Sequence, residues 1–294
     1  MRTGTILLTG ATGYLGSKLL HALLKDGYSM IVLKRSFSDT FRIHDVLTHV
    51  LTHDVDNQEL ESLFENHNIE TIIHCATDYG RKVVDPMQVI EANLLLPVRL
   101  LELARKHKVR HFINTDTILD KRMGHYSLSK HQFCDWLHSY KNYMLCTNVV
   151  LGHFYGSGDD ATKFVSLISE KLLSNAPYIE LTEGAQLRNF IHVDDVVDAF
   201  LRIVTHRTTH TDSFEEYHVC GEENISIKNL VLLMQELSGN VTTELRFGAI
   251  PYRDNEVMTY NIDTTALQKL GWKASYSLAE GLKKMIAEDS SRIK

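Results

Sequence analysis

Thr5-Ile6-Leu7-Leu8-Thr9-Gly10-Ala11-Thr12-Gly13-Tyr14-Leu15-Gly16 joins a short apolar run to three glycines at GxxGxxG spacing, and an amphipathic stretch from Gly16 to Asp26 follows at once. That order predicts a strand, a tight turn and a helix. Glycine tolerates positive φ and carries no side chain, so backbone N–H groups in such a turn can close on a pyrophosphate at the helix N-terminus. The residues expected to hold a dinucleotide here are Gly10, Thr12, Gly13, Tyr14, Leu15 and Gly16, the last also letting the helix pack closely on the strand.

The alternation continues outward from this turn. Met30 to Leu33, Ile69 to His74, His111 to Thr115 and Met144 to Val150 read as strands, and Val89 to His107 and Ser127 to Tyr140 are long enough for crossover helices. Such βα alternation means an α/β protein with a Rossmann-type, doubly wound parallel sheet and right-handed connections. Ligands of these sheets bind outside the carboxyl ends of the strands. Residues 1–155 read as the cofactor-binding Rossmann domain with the catalytic residues. Residues 156–294, with the Gly156-Ser157-Gly158-Asp159-Asp160 loop, a helix near Thr162 to Leu173 and a polar tail after Glu288, read mainly as a smaller substrate-binding lobe interleaved with the sheet.

Composition narrows the classes. At 294 residues, 44% of them hydrophobic, the chain is long enough for a full α/β core and a smaller lobe. A net charge of -6 gives no global attraction to nucleic acid or anionic lipid, so an anionic ligand needs local sites. Cys75, Cys134, Cys146 and Cys220 form no CxxC pair, which argues against a zinc ribbon, a redox dithiol or a disulfide scaffold. The 16 histidines show no metal-ligand spacing, and no metal site is expected. No charged leader precedes the first strand and no apolar run approaches a membrane span, which fits a cytoplasmic enzyme.

After the second strand a dehydrogenase that prefers NAD places Asp or Glu against the adenosine ribose. Here Lys34-Arg35-Ser36 stands instead, two cations and a hydroxyl that suit a 2′-phosphate, so the expected cofactor is NADP(H); the alternative is basic residues merely solvated at a strand end. Further along, Tyr126-Ser127-Leu128-Ser129-Lys130 puts Lys130 one helical turn beyond Tyr126. An ammonium on the same face lowers a phenol's pKa from about 10 and makes it a usable general acid or base.

With these motifs the chain resembles the extended short-chain dehydrogenase/reductases, the family of sugar-nucleotide epimerases, dehydratases and ketoreductases. The resemblance spans nearly the whole length and includes Arg188-Asn189-Phe190-Ile191-His192-Val193-Asp194-Asp195, Tyr155-Gly156, Ala266-Leu267-Gln268-Lys269-Leu270-Gly271-Trp272 and Ser277-Leu278-Ala279-Glu280-Gly281, in the family's order. It implies that Asp54 and Val55 contact the adenine, that Cys75, Ala76 and Thr77 line the cofactor channel, and that Asn93 is the family's helix asparagine. Arg188 and Arg253 match arginines that bind the nucleotide diphosphate, the bland alternative being surface ion pairs.

The family's catalytic Ser/Thr falls on Thr115, giving a triad of Thr115, Tyr126 and Lys130. Family 4,6-dehydratases follow this Thr with Asp and Glu, whereas here Asp116 is followed by Thr117. A threonine cannot abstract a carbon-bound proton, so elimination lacks its base and ketone reduction remains. Together with Tyr79-Gly80-Arg81, these segments are similar to reductases of the family that make CDP-linked 3,6-dideoxyhexoses for O-antigen by reducing C4 of CDP-4-dehydro-3,6-dideoxyglucose. Tyr79, Arg81 and His153 are candidate hexose contacts, with loop packing as the alternative, and Asp116 and Thr117 are further candidates for the sugar, Asp116 alternatively capping its segment. The competing functions are a 4-epimerase, a reductase of dTDP- or GDP-linked 4-ketosugars, and a silent nucleotide sensor. A homodimer through Val89 to His107 and Ser127 to Tyr140 is implied by the resemblance.

Overall fold

The computed structural model describes residues 4–80, 85–206, 213–254 and 256–293. In chain order the elements are β1 (Thr5–Thr9), α1 (Tyr14–Lys25), β2 (Ser29–Lys34), β3 (Leu51–Asp54), α2 (Leu60–Asn66), β4 (Ile69–His74), α3 (Pro86–Ile90), a π-helical turn (Glu91–Leu95), α4 (Leu96–Lys106), β5 (His111–Thr117), α5 (His125–Ser139) and β6 (Leu145–Leu151). There follow β7 (His153–Tyr155), α6 (Phe164–Leu173), β8 (Tyr178–Leu181), β9 (Leu187–His192), α7 (Val193–Thr205), β10 (Phe214–Val219), β11 (Asn224–Ser226), α8 (Ile227–Ser238), β12 (Glu244–Phe247), α9 (Thr265–Lys269) and α10 (Leu278–Ile293). Two compact units result, one of residues 1–151 and 197–217, the other of residues 152–196 and 218–294.

The first unit is a Rossmann-type layer structure around a seven-stranded sheet in the order β10-β6-β5-β4-β1-β2-β3. The pairings β3·β2, β2·β1, β1·β4, β4·β5 and β5·β6 are all parallel. Strand order reverses beside β1, so the turn leaving β1 opens at the topological switch point, where open α/β sheets bind ligands. Leu7, Ile72, Phe112, Phe133, Leu100 and Leu137 form the centre of the core between sheet and helices.

The stretch from Val89 to His107 is helical almost throughout, but α3 and α4 join through a π turn. Pro97 lacks the N–H that would bond the Asn93 carbonyl one turn back, and the chain takes up an extra residue as a π turn, in which the Leu96 N–H bonds the Glu91 oxygen. β3 gives no apolar run because its Leu-Thr-His-Asp residues are half exposed at the sheet edge.

The second unit packs α6, α8 and α10 around Tyr155, Ile168, Leu172, Leu230, Met234, Leu282 and Met285. β7 runs parallel to β9, and β11 antiparallel to it. The late motifs have structural roles here. The Asp195 carboxylate accepts from the Ser275 and Tyr276 amides at 2.7 and 3.3 Å, and the Trp272 indole donates to the Asp195 carbonyl at 3.2 Å. Gly281 leaves room for the Tyr155 phenol, which donates to the Leu278 carbonyl at 3.2 Å.

One side chain ties the end of β1 to the end of β4. Thr9 Oγ1 accepts from the Cys75 and Ala76 amides at 3.1 and 3.0 Å and meets His74 Nδ1 at 2.9 Å, fully buried. With both lone pairs engaged, the hydroxyl proton goes to His74 Nδ1, which fixes the imidazole as the Nε2–H tautomer. Thr9→Val keeps the shape but removes the acceptor of the Ala76 amide and the donor to buried His74, while the Cys75 amide retains the Thr9 carbonyl at 3.3 Å, so unfolding free energy in urea should fall by about 2 kcal/mol; an unchanged midpoint would refute this role.

Candidate active site

The glycine turn is built to expose backbone donors. Gly10 adopts φ +71°, and a Cβ there would stand 2.6 Å from the Ala76 nitrogen and the Cys75 carbonyl carbon. Thus the segment Cys75-Ala76-Thr77 that follows β4 is brought against the turn. A Cβ on Gly16 would strike the Gly10 carbonyl, whereas one on Gly13 would meet only that oxygen at 3.2 Å. Gly13 is exposed and caps α1 with no side-chain hydrogen bond, and no acidic residue lies in the first helical turn. The first amides of α1 and the positive end of its dipole therefore face outward for an external anion. A dinucleotide pyrophosphate fits this cradle, with Thr12 half-buried at its rim and Tyr14 and Leu15 supplying first-turn amides.

At the carboxyl ends of β2 and β3 the expected adenosine residues do converge, in an arrangement the sequence did not reveal. Ser36 donates its hydroxyl to Asp54 at 3.1 Å and its amide to Asp56 at 2.9 Å. Arg35 Nε approaches Asp56 at 3.4 Å while its guanidinium stacks on Phe37 at 4.4 Å. Lys34 turns to the Arg35 carbonyl at 3.5 Å, and the Val55 amide donates to the Lys34 carbonyl at 3.0 Å. Desolvation is the largest single influence on Asp54 and raises its pKa, but the hydrogen bonds from the Asp56 amide, Asn57 and Ser36, with Lys34's charge, together outweigh it and hold the carboxyl below the usual carboxylate range.

The centre of the site lies between β5 and α5. Lys130 is 1% exposed, and its Nζ donates to Asn114 Oδ1 at 3.4 Å. Burial lowers the Lys130 pKa, with Asp116, Cys75 and Cys134 opposing through their charge. The Asn114 amide donates to Asn148 at 2.8 Å, and Asn148 spends its own two hydrogens on Asp116 and Glu216, both at 3.0 Å. Asn114 and Asp116 share one face of β5 and Thr115 and Thr117 the other. The Thr115 hydroxyl donates to the His74 carbonyl at 3.0 Å, and Thr117 Oγ1 accepts from the Leu119 amide at 3.2 Å. Lys130 therefore meets Asn114 rather than Thr115, whose proton is engaged on the backbone of β4.

Tyr126 lies in the first turn of α5, half-buried, with its ring 4.8 Å from that of Tyr79. Asn93 is fully buried and braces this corner, accepting from Thr77 Oγ1 and the Asp78 amide and donating to the Asp78 carbonyl and Ser129 Oγ. It holds the channel loop to α5 one residue before Lys130. Arg81 lies outside the described residues.

The candidate residues of the second unit also gather. His153 packs its ring 5.6 Å from Phe190 and 5.9 Å from Tyr260. Arg188, 8% exposed, pairs with Glu256 at 2.5 Å, donates to the Leu187 carbonyl at 2.8 Å and stacks on Tyr260 at 5.0 Å. Arg253 is exposed on the same coil as Glu256, whose amide donates to the Arg253 carbonyl at 3.0 Å. Sequence reasoning missed Asn148, Glu256 and Asp56. Asn148 alone carried a signal, as a polar residue inside the apolar strand Leu145–Leu151.

Residues 6–220 match the NAD dependent epimerase/dehydratase family, and the chain belongs to it. Enzymes of this family act on sugar nucleotides. The chain is similar to the CDP-abequose synthase of Salmonella muenchen, 33% identical over 96% of this chain and 97% of that one. It is also similar to the CDP-abequose synthase of Yersinia pseudotuberculosis, 27% identical over 86% of this chain and 90% of that one. In fold it is similar to a UDP-glucose 4-epimerase of Thermotoga maritima solved with UDP-glucose, at TM-score 0.85 and 23% identity, covering 99% of this chain and 100% of that one. No helix among the described residues is long and apolar enough to cross a membrane.

Burial, with Arg188's charge as the next contribution, pushes His153 down to about 4, and burial likewise pushes His111 down to about 3. Both are neutral in the fold, while the unfolded chain protonates near 6.5. The unfolded state binds more protons below that value, so the stability these rings contribute is complete above pH 6.5 and is lost as the pH falls toward 4. Thermal midpoints should drop across that window and drop less in His153→Gln; parallel curves for both proteins would contradict the assignment.

Proposed function

We propose that the protein is an NADPH-dependent 4-ketoreductase of a nucleotide-activated deoxysugar, converting CDP-4-dehydro-3,6-dideoxy-D-glucose to CDP-abequose or CDP-paratose for O-antigen in the cytoplasm. The observation that carries this reading is the furnishing of the β5 end. Asp116 is buried and its carboxylate accepts from Asn148 at 3.0 Å and from the Thr117 amide at 2.7 Å, while Thr117 offers only a hydroxyl. A carboxylate so held is poorly placed to take a proton from a sugar carbon, and a hydroxyl has no pKa near neutrality. Water elimination lacks its base, and ketone reduction does not need one.

A bound nicotinamide supplies the hydride. Tyr126 donates the proton to the oxygen that becomes the alcohol, and Lys130 stabilises the phenolate left behind. Thr115 polarises the same oxygen by turning its hydroxyl from the His74 carbonyl to the substrate. The similarity to two CDP-abequose synthases supports CDP as the nucleotide. Arg188 and Arg253 would take the diphosphate, His153, Tyr79 and Arg81 the hexose. Residues 1–155 thus serve as the cofactor half and residues 156–294 mainly as the substrate lobe. A homodimer is proposed as the assembly, to be checked by sedimentation equilibrium.

A 4-epimerase is the second reading, favoured by the carboxylates of Asp54 and Asp56 at the ribose end of the cofactor site, which suit the hydroxyls of NAD. The purified protein should oxidise NADPH with CDP-4-dehydro-3,6-dideoxyglucose faster than with dTDP- or GDP-linked 4-ketosugars. No oxidation with any ketosugar would overturn the reductase, and interconversion of sugars without added cofactor would establish the epimerase. In Tyr126→Phe, kcat should fall by about 10²- to 10⁴-fold with NADPH binding unchanged; undiminished turnover would remove Tyr126 from its role.

A further inference from the structure

We propose that Asp56 limits how tightly NADP(H) is held, as an internal anion standing where a 2′-phosphate would bind, which NADP(H) must displace and NAD(H) need not. The proposal rests on the dinucleotide reading of the Gly10–Gly16 turn.

Lys34 pairs with Asp54 in the parallel register of β2 and β3, so Arg35-Ser36 and Val55-Asp56 leave the sheet side by side at its carboxyl edge. The donors gathered there are those that recognise a phosphate monoester: a backbone N–H, a guanidinium and a hydroxyl. Each already has a carboxylate. Asp56 takes the Ser36 amide on one oxygen at 2.9 Å and Arg35 Nε on the other at 3.4 Å, and Asp54 takes the Ser36 hydroxyl at 3.1 Å. Two cations suggested a positive pocket; the fold sets two anions against them.

Asp56 could alternatively serve to orient Arg35 for the phosphate. Three observations favour competition. The Arg35–Asp56 pair is long at 3.4 Å, with Arg35 60% exposed, so it holds the guanidinium weakly. Stacking on Phe37 at 4.4 Å already sets the guanidinium plane without Asp56. The shorter bond, to the Ser36 amide, is the one a phosphate oxygen would claim, and a carboxylate left beside that dianion repels it. A ribose 2′-hydroxyl meets no such penalty, because it can donate to the same carboxylate.

The decisive measurement uses fragments of the cofactor and no sugar. Wild type, Asp56→Asn, Arg35→Ala and the double variant are titrated calorimetrically with 2′,5′-ADP and with 5′-AMP, each variant first checked by circular dichroism. Asp56→Asn should tighten 2′,5′-ADP by about tenfold and leave 5′-AMP within about twofold, and the gain should remain when Arg35 is also removed, because the repulsion relieved is Asp56's own. Unchanged or weaker binding of 2′,5′-ADP to Asp56→Asn, or an equal change for both ligands, would overturn the competitor role while leaving the dinucleotide site standing. Failure of both ligands to bind any of the four proteins would remove the dinucleotide reading and this proposal with it.

Discussion

The approach of the Gly10 turn to the first residues after β4 is the constraint on which the rest of the site depends. Two backbones meet there at a distance that no Cβ allows, and the Thr9 hydroxyl bonds both amides of the approaching segment. That junction aligns the α1 N-terminus with the channel residues Cys75 to Thr77. Its partner His74 is held neutral by burial and by the nearby Lys130 charge, and its carbonyl accepts the Thr115 hydroxyl. The glycine turn, the segment after β4 and the strand β5 are therefore set by one buried cluster at the switch point of the sheet.

A second buried network fixes the reacting end. Lys130 is out of water, and such a cation persists only with hydrogen-bond acceptors and compensating charge nearby. Asn114 supplies the acceptor, and Asn148 relays the contact to Asp116 and Glu216. Asp116 thereby becomes part of the support for Lys130, which gives it a structural reason to stand next to Thr115. Asn93 does for the loop after β4 what Asn148 does for β5, and the π turn forced by Pro97 lies in the segment that carries it.

Much of the fold could be read from periodicity and turn chemistry. β1 and β4 begin and end where the apolar runs do, and the Tyr126–Lys130 spacing survives as one turn of α5. What stayed hidden has a physical pattern. β3 is an edge strand with only one buried residue, too little burial to leave a hydrophobic signature. The π turn comes from one missing N–H inside an otherwise good helix. Asp56 and Glu256 are ordinary polar residues in loops, and their roles depend on partners brought from elsewhere in the chain, 21 residues away for Arg35 and 68 for Arg188. Local sequence identifies the cations but not the counter-ions the fold assigns to them.

That asymmetry changes how the cationic motifs should be weighed. Arg35 and Arg188 were both read as phosphate ligands from their positions, and each carries a carboxylate partner. The two pairs differ in burial, however, and therefore in consequence. Around Arg35 the charges are largely solvated and each worth little alone, so the identity of the incoming group decides which contact prevails. Around Arg188, 9% exposed at the side chain against 16% for Glu256, separating the ions leaves each without its counter-charge in a poorly hydrated setting. A ligand that claims Arg188 must either supply an anion as close as Glu256 or bind with that pair intact. The geometry thus leaves Arg35 able to exchange its partner and holds Arg188 in a largely preset orientation.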